Sequence, residues 1–334
     1  MMGRNALRAV VLVDEETFRP KDPNFTKYKP NSDCETEFYV TAALRRLGFS
    51  VTVVPATSDL GLMLKLTKAS EPDIVFNLVE HVGGDRANDS VIASLLEIEG
   101  IPFTGASARA LALSRDKYLS KVMVASSGVT VPKSMAVNAR TTPQFSWDIF
   151  PSILKPMDHD GSEGIEERSY ITNLRDLHAQ AKRLTKRISS LLICEEYIDG
   201  REFILTLSGA KKISVDSVRE LVFPPEASSR FATQRVKFDQ KYKRQQGIHY
   251  ANPARKDRRL VASLQDAAQK AYRALEINAY AKLEFRVRAD EPVFIEGNPN
   301  SILSPFAKTT DFAAIGYDKF IRKIIRLALS RSAR

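Results

Sequence analysis

Two glutamates and an asparagine near the end of the chain have the residue types and spacing of a divalent-cation site. Glu284 and Glu296 lie twelve residues apart in two predicted strands that flank a tight turn, and Asn298 follows the second strand. A hairpin of this length sets the carboxylates side by side, which is unfavourable unless a cation lies between them. Carboxylate and amide oxygens suit Mg²⁺, completed by nucleotide phosphates. The competing interpretation is two solvated acids on an edge hairpin.

A lysine and a glycine-rich turn in the middle of the chain form a second candidate site. Lys155 lies near the end of a short predicted strand, 151–156, and residues 157–164 supply a flexible turn that contains Ser162. Such a turn could hold a phosphate chain through the lysine charge and backbone N–H groups. Neither G-x-x-x-x-G-K-[ST] nor G-x-G-x-x-G is present. A surface turn beside a partly exposed lysine is the competing interpretation.

A predicted strand that ends in acids is the third candidate. Residues 191–196 end at Glu195 and Glu196, an Asp-Gly turn follows, and Glu202 opens the next predicted strand, 202–207. This crossing could offer backbone groups to an adenine and a carboxylate to a ribose. From these residues alone, an ordinary hairpin with charged ends is the favoured interpretation.

The first third of the chain alternates strand and helix patterns. Short apolar runs predict buried strands at 9–13, 51–54 and 73–78. The sequence Ser32-Asp33-Cys34-Glu35 has the form of a capping box, and apolar residues at helical spacing follow it. Because strand, helix and strand follow at this spacing, we expect a parallel sheet with right-handed crossovers.

The rest of the chain mixes long helices with hairpins. Helical patterns cover 107–128, 174–188, 260–275 and 317–328, and two strands are predicted at 281–287 and 292–296. The stretch 228–259 is polar and basic with few apolar residues, and we interpret it as a mobile loop.

Composition limits the function classes. Hydrophobic residues make up 43% and charged residues 27%, which excludes a largely disordered chain. Two cysteines and four unclustered histidines indicate neither a disulfide scaffold nor a Cys-rich zinc site. No apolar run approaches the roughly 20 residues of a membrane span, and the apolar run near the start is too short for a signal peptide. We therefore expect a cytoplasmic protein without a membrane partner.

The net charge of +10 predicts anionic partners. Nucleotide phosphates, nucleic acid and a membrane surface would each satisfy it.

The three candidate sites occur in an order that resembles the ATP-grasp superfamily, and within it the D-alanine–D-alanine ligases. Residues 77–85 look like the family's His-Gly-x-x-Gly-Glu-Asp region, and residues 95–105 match its Leu-Leu-Glu…Gly-Ile-Pro-Tyr-Thr-Gly stretch. Residues 112–117 follow as Ala-Leu-x-x-Asp-Lys. The similarity runs from about Asp73 to Pro305.

This resemblance implies an α/β chain with an ATP-grasp fold and an N-terminal parallel α/β domain. We expect an N-terminal substrate domain over 1–105, a central lysine-bearing subdomain over 106–195 and a C-terminal subdomain with the metal site over 196–334. The implied reaction joins a small carboxylate substrate to an amine. ATP activates the acid as an acyl phosphate, and ADP and phosphate are released. A homodimer is a further expectation.

The resemblance also assigns the nucleotide-binding residues. Lys117 and Lys155 would contact the ATP phosphates, with Ser162 in the glycine turn beside them. Glu202 would bind the ribose. The adenine site would be lined by Glu195, Glu196, Tyr197 and Ile198.

Metal and catalytic roles follow in the same way. Two Mg²⁺ ions, or Mn²⁺ in their place, would be held by Glu284, Glu296 and Asn298. Lys241 and Tyr242 resemble a Lys-Tyr pair on a mobile loop that closes over the phosphates. Lys282 stands where the family has an arginine that supports the oxyanion. Glu37, or Glu35, would anchor the amine of the first substrate.

Departures from the family pattern fall on the acyl and amine sites. The N-terminal Gly-Gly-x-Ser-x-Glu motif is missing, Lys282 replaces an arginine, and Ser301-Ile302 replaces a Pro-Gly. These changes keep two alternatives open. One is a peptide or natural-product ligase with another substrate, and the other is a nucleotide- or nucleic-acid-binding protein without turnover, suggested by 228–259. The acids and Asn298 argue against nucleic acid, which has no use for them.

Overall fold

The structure is a computed structural model that describes residues 6–27, 35–140, 145–159, 161–188 and 191–332. Ser32 to Cys34 of the predicted capping box and Asp160 of the predicted glycine turn lie outside the described residues. Within these ranges the chain forms three sheets, one parallel and two antiparallel.

The N-terminal sheet is parallel, as predicted, with the order β2-β1-β3. Its elements are β1 (Arg8–Asp14), α1 (Glu35–Arg46), β2 (Ser50–Ala56), α2 (Leu60–Ala69), β3 (Ile74–Asn77) and α3 (Asp89–Ile98). Successive β1 side chains point to opposite faces, because a strand repeats every two residues. Val11 and Val13 pack in one core, and Val10 and Leu12 pack in another.

The central sheet is antiparallel, with the order β4-β7-β5-β6. Its elements and the helices before and within it are α4 (Ala108–Arg115), α5 (Lys117–Ser126), β4 (Ser134–Asn138), β5 (Ser152–Pro156), β6 (Tyr170–Ile171), α6 (Leu174–Arg187) and β7 (Leu191–Glu196). Helix α6 buries Leu177, Ala181 and Leu184, three positions of its predicted apolar face. Strand β4 was not predicted, because four of its five residues are not buried and carry little hydrophobic pattern.

The C-terminal sheet is also antiparallel, with the order β10-β9-β8-β11-β12. Its strands are β8 (Arg201–Gly209), β9 (Ile213–Val222), β10 (His249–Ala251), β11 (Tyr280–Arg288) and β12 (Glu291–Asn298). The helices are α7 (Gln234–Phe238), α8 (Gln240–Gln245), α9 (Arg258–Ala274), α10 (Phe312–Ile315) and α11 (Tyr317–Ser332). Helix α9 buries Leu260, Leu264, Ala268 and Ala271, as its spacing predicts.

The interpretation of 228–259 as a mobile loop is wrong for much of its length. Residues 234–251 form α7, α8 and β10. Val236, Tyr242 and Ile248 are buried and pack with Leu221 in a small core of their own. Three scattered apolar residues show no periodicity in the sequence, so only the folded chain brings them together.

The last helix returns to the first sheet. Residues of α11, including Phe320 and Ile324, pack with Val40 and Leu44 of α1 against β1 and β3. Arg46 of α1 donates two hydrogen bonds of 2.8 and 2.7 Å to Asp318. No helix in the described part of the chain is long and apolar enough to cross a membrane.

Candidate active site

The β11–β12 hairpin sets the predicted metal acids directly opposite each other. Its turn residues Ala289 and Asp290 both have positive φ, 47° and 66°, which matches the right-handed twist of a tight hairpin. In the resulting register Glu284 pairs with Glu296, and Lys282 pairs with Asn298. The geometric expectation from the sequence is therefore confirmed.

A lysine that the sequence did not suggest lies between these acids. Lys237 Nζ of α7 is 2.9 Å from Glu284 Oε1 and 3.5 Å from Glu296 Oε1. Burial would raise the pKa of Glu296, but Lys237 and then Lys117 and Lys155 hold it far below its usual range. Burial lowers the pKa of Lys237, yet the two glutamates raise it well above the ordinary lysine value.

The donor set fits a hard divalent cation. The ammonium group of Lys237 is a stand-in that shows the acid pair accepting positive charge. Among the described residues no group of three or more His, Cys, Asp or Glu side chains could hold a metal. Two carboxylates and the Asn298 amide would leave most of the coordination to water and phosphate, which is how Mg²⁺ is commonly bound.

The loop after β12 is tied to the N-terminal sheet. The Asn298 side-chain oxygen accepts the Asn300 backbone N–H at 2.8 Å. The Asn300 amide donates to the Val79 carbonyl at 2.8 Å, just beyond β3. It also lies 3.4 Å from Asp89, which pairs with Arg115 of α4. The metal loop is thus held by contacts from two other parts of the chain.

Lys155 of β5 belongs to a fully buried charged triad. Its Nζ lies 3.0 Å from Glu195 Oε2, and Lys121 Nζ of α5 lies 2.6 Å from Glu195 Oε1. Burial opposes the charge on Lys155, but Glu195 and Glu296 raise its pKa. Burial lowers the pKa of Lys121 to about 8, against the opposing effect of Glu195. The structure therefore makes Glu195 the counterion of both Lys155 and Lys121.

Lys117 and Ser162 both lie at the glycine turn, 157–164. Lys117 is the first residue of α5 and donates to the His159 carbonyl. Together with Glu296 and Asn298 it lines a cavity of about 350 Å³. Ser162 lies in the glycine turn with φ of 62°, and its hydroxyl donates to the Ala232 carbonyl at 2.9 Å. The turn therefore contacts the segment before α7.

A second cavity is lined mainly by apolar side chains with a few polar groups, as is usual for the site of a small ligand. Its apolar lining comprises Ile153, Ile165, Ile198, Phe231 and Ile295. Tyr197 lines it as well, and its ring packs edge-on against Tyr170 and Phe231. Glu196 contributes to the wall and pairs with Arg288 at 2.6 Å.

Glu202 lines the same cavity at the start of β8. It is 5% exposed, and Arg286 Nη1 of β11 lies 3.4 Å from its Oε2. Burial raises the pKa of Glu202 to about 7, although Arg286 lowers it. This cavity is also lined by Lys155, Glu195, Glu284 and Glu296. It therefore adjoins the residues predicted to bind phosphate and metal.

The residues predicted for the acyl and amine sites lie in β11 of the hairpin and in α1 beside the N-terminal sheet. Lys282 is buried, donates to the Ile302 carbonyl at 2.8 Å, and has its pKa lowered to about 8 by burial. Glu37 of α1 is buried. Its pKa is raised to about 7, mainly by burial and in part by the charges of Glu80 and Asp14. Asp14 lies 3.6 Å from His81, so several carboxylates and one histidine meet here.

The predicted loop pair lies away from these groups. Lys241 of α8 is exposed. Tyr242 is buried, its hydroxyl lies 2.8 Å from the Ser228 hydroxyl, and Arg235 covers its ring at 4.1 Å. Lys237, four residues earlier in the chain, contacts Glu284 and Glu296 instead.

A family model described as D-ala D-ala ligase C-terminus matches residues 125–326. The chain belongs to this family. The match covers the central and C-terminal sheets, which carry Lys155, the second cavity and the acid pair described above. The predicted resemblance and the ATP-grasp fold class are confirmed.

Curated relatives and solved structures agree with the family match. The chain is 26% identical to the D-alanine–D-alanine ligase of Gluconobacter oxydans over 294 residues, which cover 86% of this chain and 91% of the relative. It is 26% identical to that of Aquifex aeolicus over 76% of this chain and 80% of the relative. The Bacillus anthracis ligase complexed with ATP has the same fold, with a TM-score of 0.73, 18% identity and 99% coverage of both chains.

As a member of this ligase family, the chain is an ATP-dependent ligase that forms a peptide bond. Sequence reasoning missed three cations of the site: Lys121 and Arg286, which are buried, and Lys237, which is half-buried. Lys121 follows Lys117 by four residues, a spacing that puts both on one helix face. Arg286 follows Glu284 by two residues, which puts both on one face of a strand. Nothing in the sequence around Lys237 signals its direction.

Proposed function

We propose that this ligase joins the carboxylate of one small amino acid to the amine of another, with D-alanine as the first candidate for both. The two relatives named above are D-alanine–D-alanine ligases. The observation that carries the proposal is the convergence of the Glu284–Glu296 pair with Lys155 and Lys237 beside a largely apolar cavity. Paired acids that accept a cation beside buried lysines suit transfer of a phosphoryl group.

The mechanism assigns these groups to the charge of the transferring phosphoryl group. Lys117, Lys155 and Lys237 would contact phosphate oxygens, and Glu195 would keep Lys155 charged and in place. The substrate carboxylate attacks the γ-phosphorus, ADP leaves, and an acyl phosphate forms. The second substrate's amine then attacks the acyl carbon, phosphate leaves, and the amine loses a proton. Segment 228–251 would cover the cleft and exclude water from the acyl phosphate.

Divalent metal would be held by Glu284, Glu296 and Asn298. Mg²⁺ bound there supplies charge neutralisation to the phosphates. We propose two ions, with Mn²⁺ able to replace Mg²⁺. When metal binds, Lys237 would leave the acids and turn to a phosphate oxygen, because both cations favour the same carboxylates.

Lys282 and Glu37 are proposed for the amino-acid end of the site. Lys282 would face the oxyanion of the tetrahedral intermediate as a point charge. Glu37 would accept the ammonium group of the first substrate. A bound cation would lower the pKa of Glu37 from about 7, so the substrate would stabilise the ionised carboxylate.

An assay of ADP release over pairs of amino acids tests the proposed reaction. We expect ADP and phosphate in equal amounts, dependent on Mg²⁺ and on both substrates, with a new peptide detected by mass spectrometry. Activity with a different acid–amine pair but not D-alanine would favour the alternative of a peptide or natural-product ligase. ATP binding with no ADP from any pair would contradict the ligase proposal.

Lys237→Met should lower turnover about 100-fold, because a positioned charge on the transferring phosphoryl group is lost. The same change should tighten Mg²⁺ binding to the nucleotide-free protein, because the competing ammonium group is removed. Steady-state ADP release and calorimetric Mg²⁺ titration measure the two effects. Lys211→Met, on an exposed turn, is the matched control.

Lys241→Met decides between the two loop lysines. If Lys241 acts as the family resemblance implies, its variant loses turnover while Lys237→Met retains it. The opposite result would support the assignment from the structure.

Other expectations stay predictions. These are the boundaries 1–105, 106–195 and 196–334, a cytoplasmic setting and a homodimer. The basic segment 228–259 supports nucleic-acid binding less than its composition alone suggests. One of its lysines, Lys237, pairs with Glu284 and does not face solvent.

A further inference from the structure

Arg286 is a buried cation in the wall of the second cavity, and the mechanism above gives it no role. It is 6% exposed. Its Nη2 donates to the Gly200 carbonyl at 2.7 Å, and both terminal nitrogens donate to the Arg230 carbonyl at 3.0 and 3.1 Å. Its Nε is buried without a hydrogen-bond partner among the described residues. Its guanidinium lies 5.0 Å from the centre of the Tyr197 ring.

These contacts join three elements around the cavity. Gly200 lies in the turn between β7 and β8 with φ of 146°, and a Cβ there would lie 1.9 Å from the Val287 carbonyl oxygen. Only glycine allows this close approach, which brings its carbonyl to Arg286. Arg230 belongs to the segment that leads into α7, next to Phe231 of the cavity lining. Arg286 thus fixes the turn before Glu202 and the segment across from it.

Arg286 contacts the Glu202 carboxylate and favours its ionised form, as does Lys237. Burial alone favours the neutral acid, and the carboxylates of Glu284 and Glu296 favour it further. Arg286 is the strongest influence in the opposite direction. An ionised carboxylate accepts hydrogen bonds on both oxygens, whereas a protonated one has a hydroxyl that must donate. Two adjacent hydroxyl donors, as on a ribose, therefore match the ionised form.

We propose that Arg286 is a positioning residue for ribose recognition: it orients the Glu202 carboxylate to accept both ribose hydroxyls, and so sets the preference for ribonucleotides over 2′-deoxyribonucleotides. The proposal rests on the proposed binding of ATP in this cavity. The guanidinium fork is suited to this task, because it reaches Glu202, Gly200 and Arg230 at once. A lysine has a single ammonium group and cannot replace that geometry.

A purely structural role for Arg286 makes a different prediction. If it only clamps the segment at Arg230, its loss would weaken ATP and 2′-deoxy-ATP equally. If it acts through Glu202, its loss weakens ATP far more, because 2′-deoxy-ATP has already lost one of the hydroxyls. The ratio of the two dissociation constants therefore separates the roles.

The experiment measures dissociation constants of the full chain for ATP and 2′-deoxy-ATP, each with Mg²⁺, by calorimetry. The parent should bind ATP about 10-fold or more tightly than 2′-deoxy-ATP, as expected for a hydrogen bond to a charged group. Arg286→Met and Glu202→Gln should bring this ratio close to one, and Arg286→Lys should leave it in between. Arg273→Met, on the exposed face of α9, should keep the parent ratio.

Each other outcome has a definite meaning. An unchanged ratio in Arg286→Met and Arg286→Lys, or a parent that does not discriminate, would overturn the role of Arg286 while leaving ATP binding intact. A parent that binds neither nucleotide would overturn the proposed function and this inference together. If Arg286→Met fails to fold, as judged by circular dichroism, Arg286→Lys and Glu202→Gln still decide the question.

Discussion

Glu296→Gln should reduce the rate of ADP release about 1,000-fold with little loss of folded protein. The substitution keeps the shape of the side chain and removes one of two carboxylates that would hold the metal, and with it much of the electrostatic stabilisation of the transferring phosphoryl group. Lys237 keeps Glu284 as a partner, at 2.9 Å. The metal requirement should change most, so a titration of turnover against Mg²⁺ is the sharpest measurement.

The lysines around Glu296 lead to a second expectation, for ATP binding without metal. Lys237, Lys117 and Lys155 all favour the ionised form of Glu296. Removing its charge leaves these lysines in excess, so metal-free ATP should bind at least as well as to the parent. Asp290→Asn, an exposed acid in the same hairpin, is the control and should leave both properties unchanged. Parent-like turnover in Glu296→Gln at low Mg²⁺ would show that the acid pair is not the metal site.

The hairpin could be predicted from the sequence because its turn at 289–290 and the alternation of Leu283, Phe285 and Val287 are local signals. A β-bulge between Glu284 and Phe285, which these signals do not show, shifts the register so that Glu284 lies opposite Glu296. The parallel sheet was predictable for a similar reason. Its strands are short, mostly apolar runs, and the spacing between them is long enough for crossover connections.

The inward lysine of α7 could not be predicted, because its direction depends on contacts distant in sequence. The first turn of α7 is capped by Thr233, and Val236 is buried in a small core with Leu221. These two contacts turn Lys237 toward β11 and leave Lys241 on the outside. The family resemblance favoured Lys241 because it compares residue types along the chain, and a five-residue helix leaves no periodic signal.

The residues that depart from the family pattern can be located in the structure. Lys282 donates to the carbonyl of Ile302, so two of the altered positions touch each other. Asp14 ends β1, and its carboxylate accepts the backbone N–H groups of Glu80 and His81 at 3.0 and 3.2 Å. The contact between Lys282 and Ile302 puts two altered residues together, which favours a changed substrate over a lost activity.

Lys155→Met should weaken ATP binding about 100-fold and lower the free energy of unfolding by roughly 2 kcal/mol. The first effect reflects the lost phosphate contact. The second is smaller than the roughly 3–5 kcal/mol typical of breaking a buried ion pair. Glu195 keeps Lys121 as a partner at 2.6 Å, so its charge is not left alone. Calorimetry with ATP and urea denaturation measure the two quantities separately.

The double variant Lys155→Met/Glu195→Gln separates binding from stability. Removing the buried carboxylate as well should lower the free energy of unfolding further, because the buried Lys121 is then left without its counterion. It should not restore ATP binding, since the phosphates still lack Lys155, and Lys121 loses the partner that keeps it charged. Lys211→Met again serves as the surface control. If Lys155→Met binds ATP like the parent, Lys155 is a structural lysine, and the phosphates must lie elsewhere in the cleft.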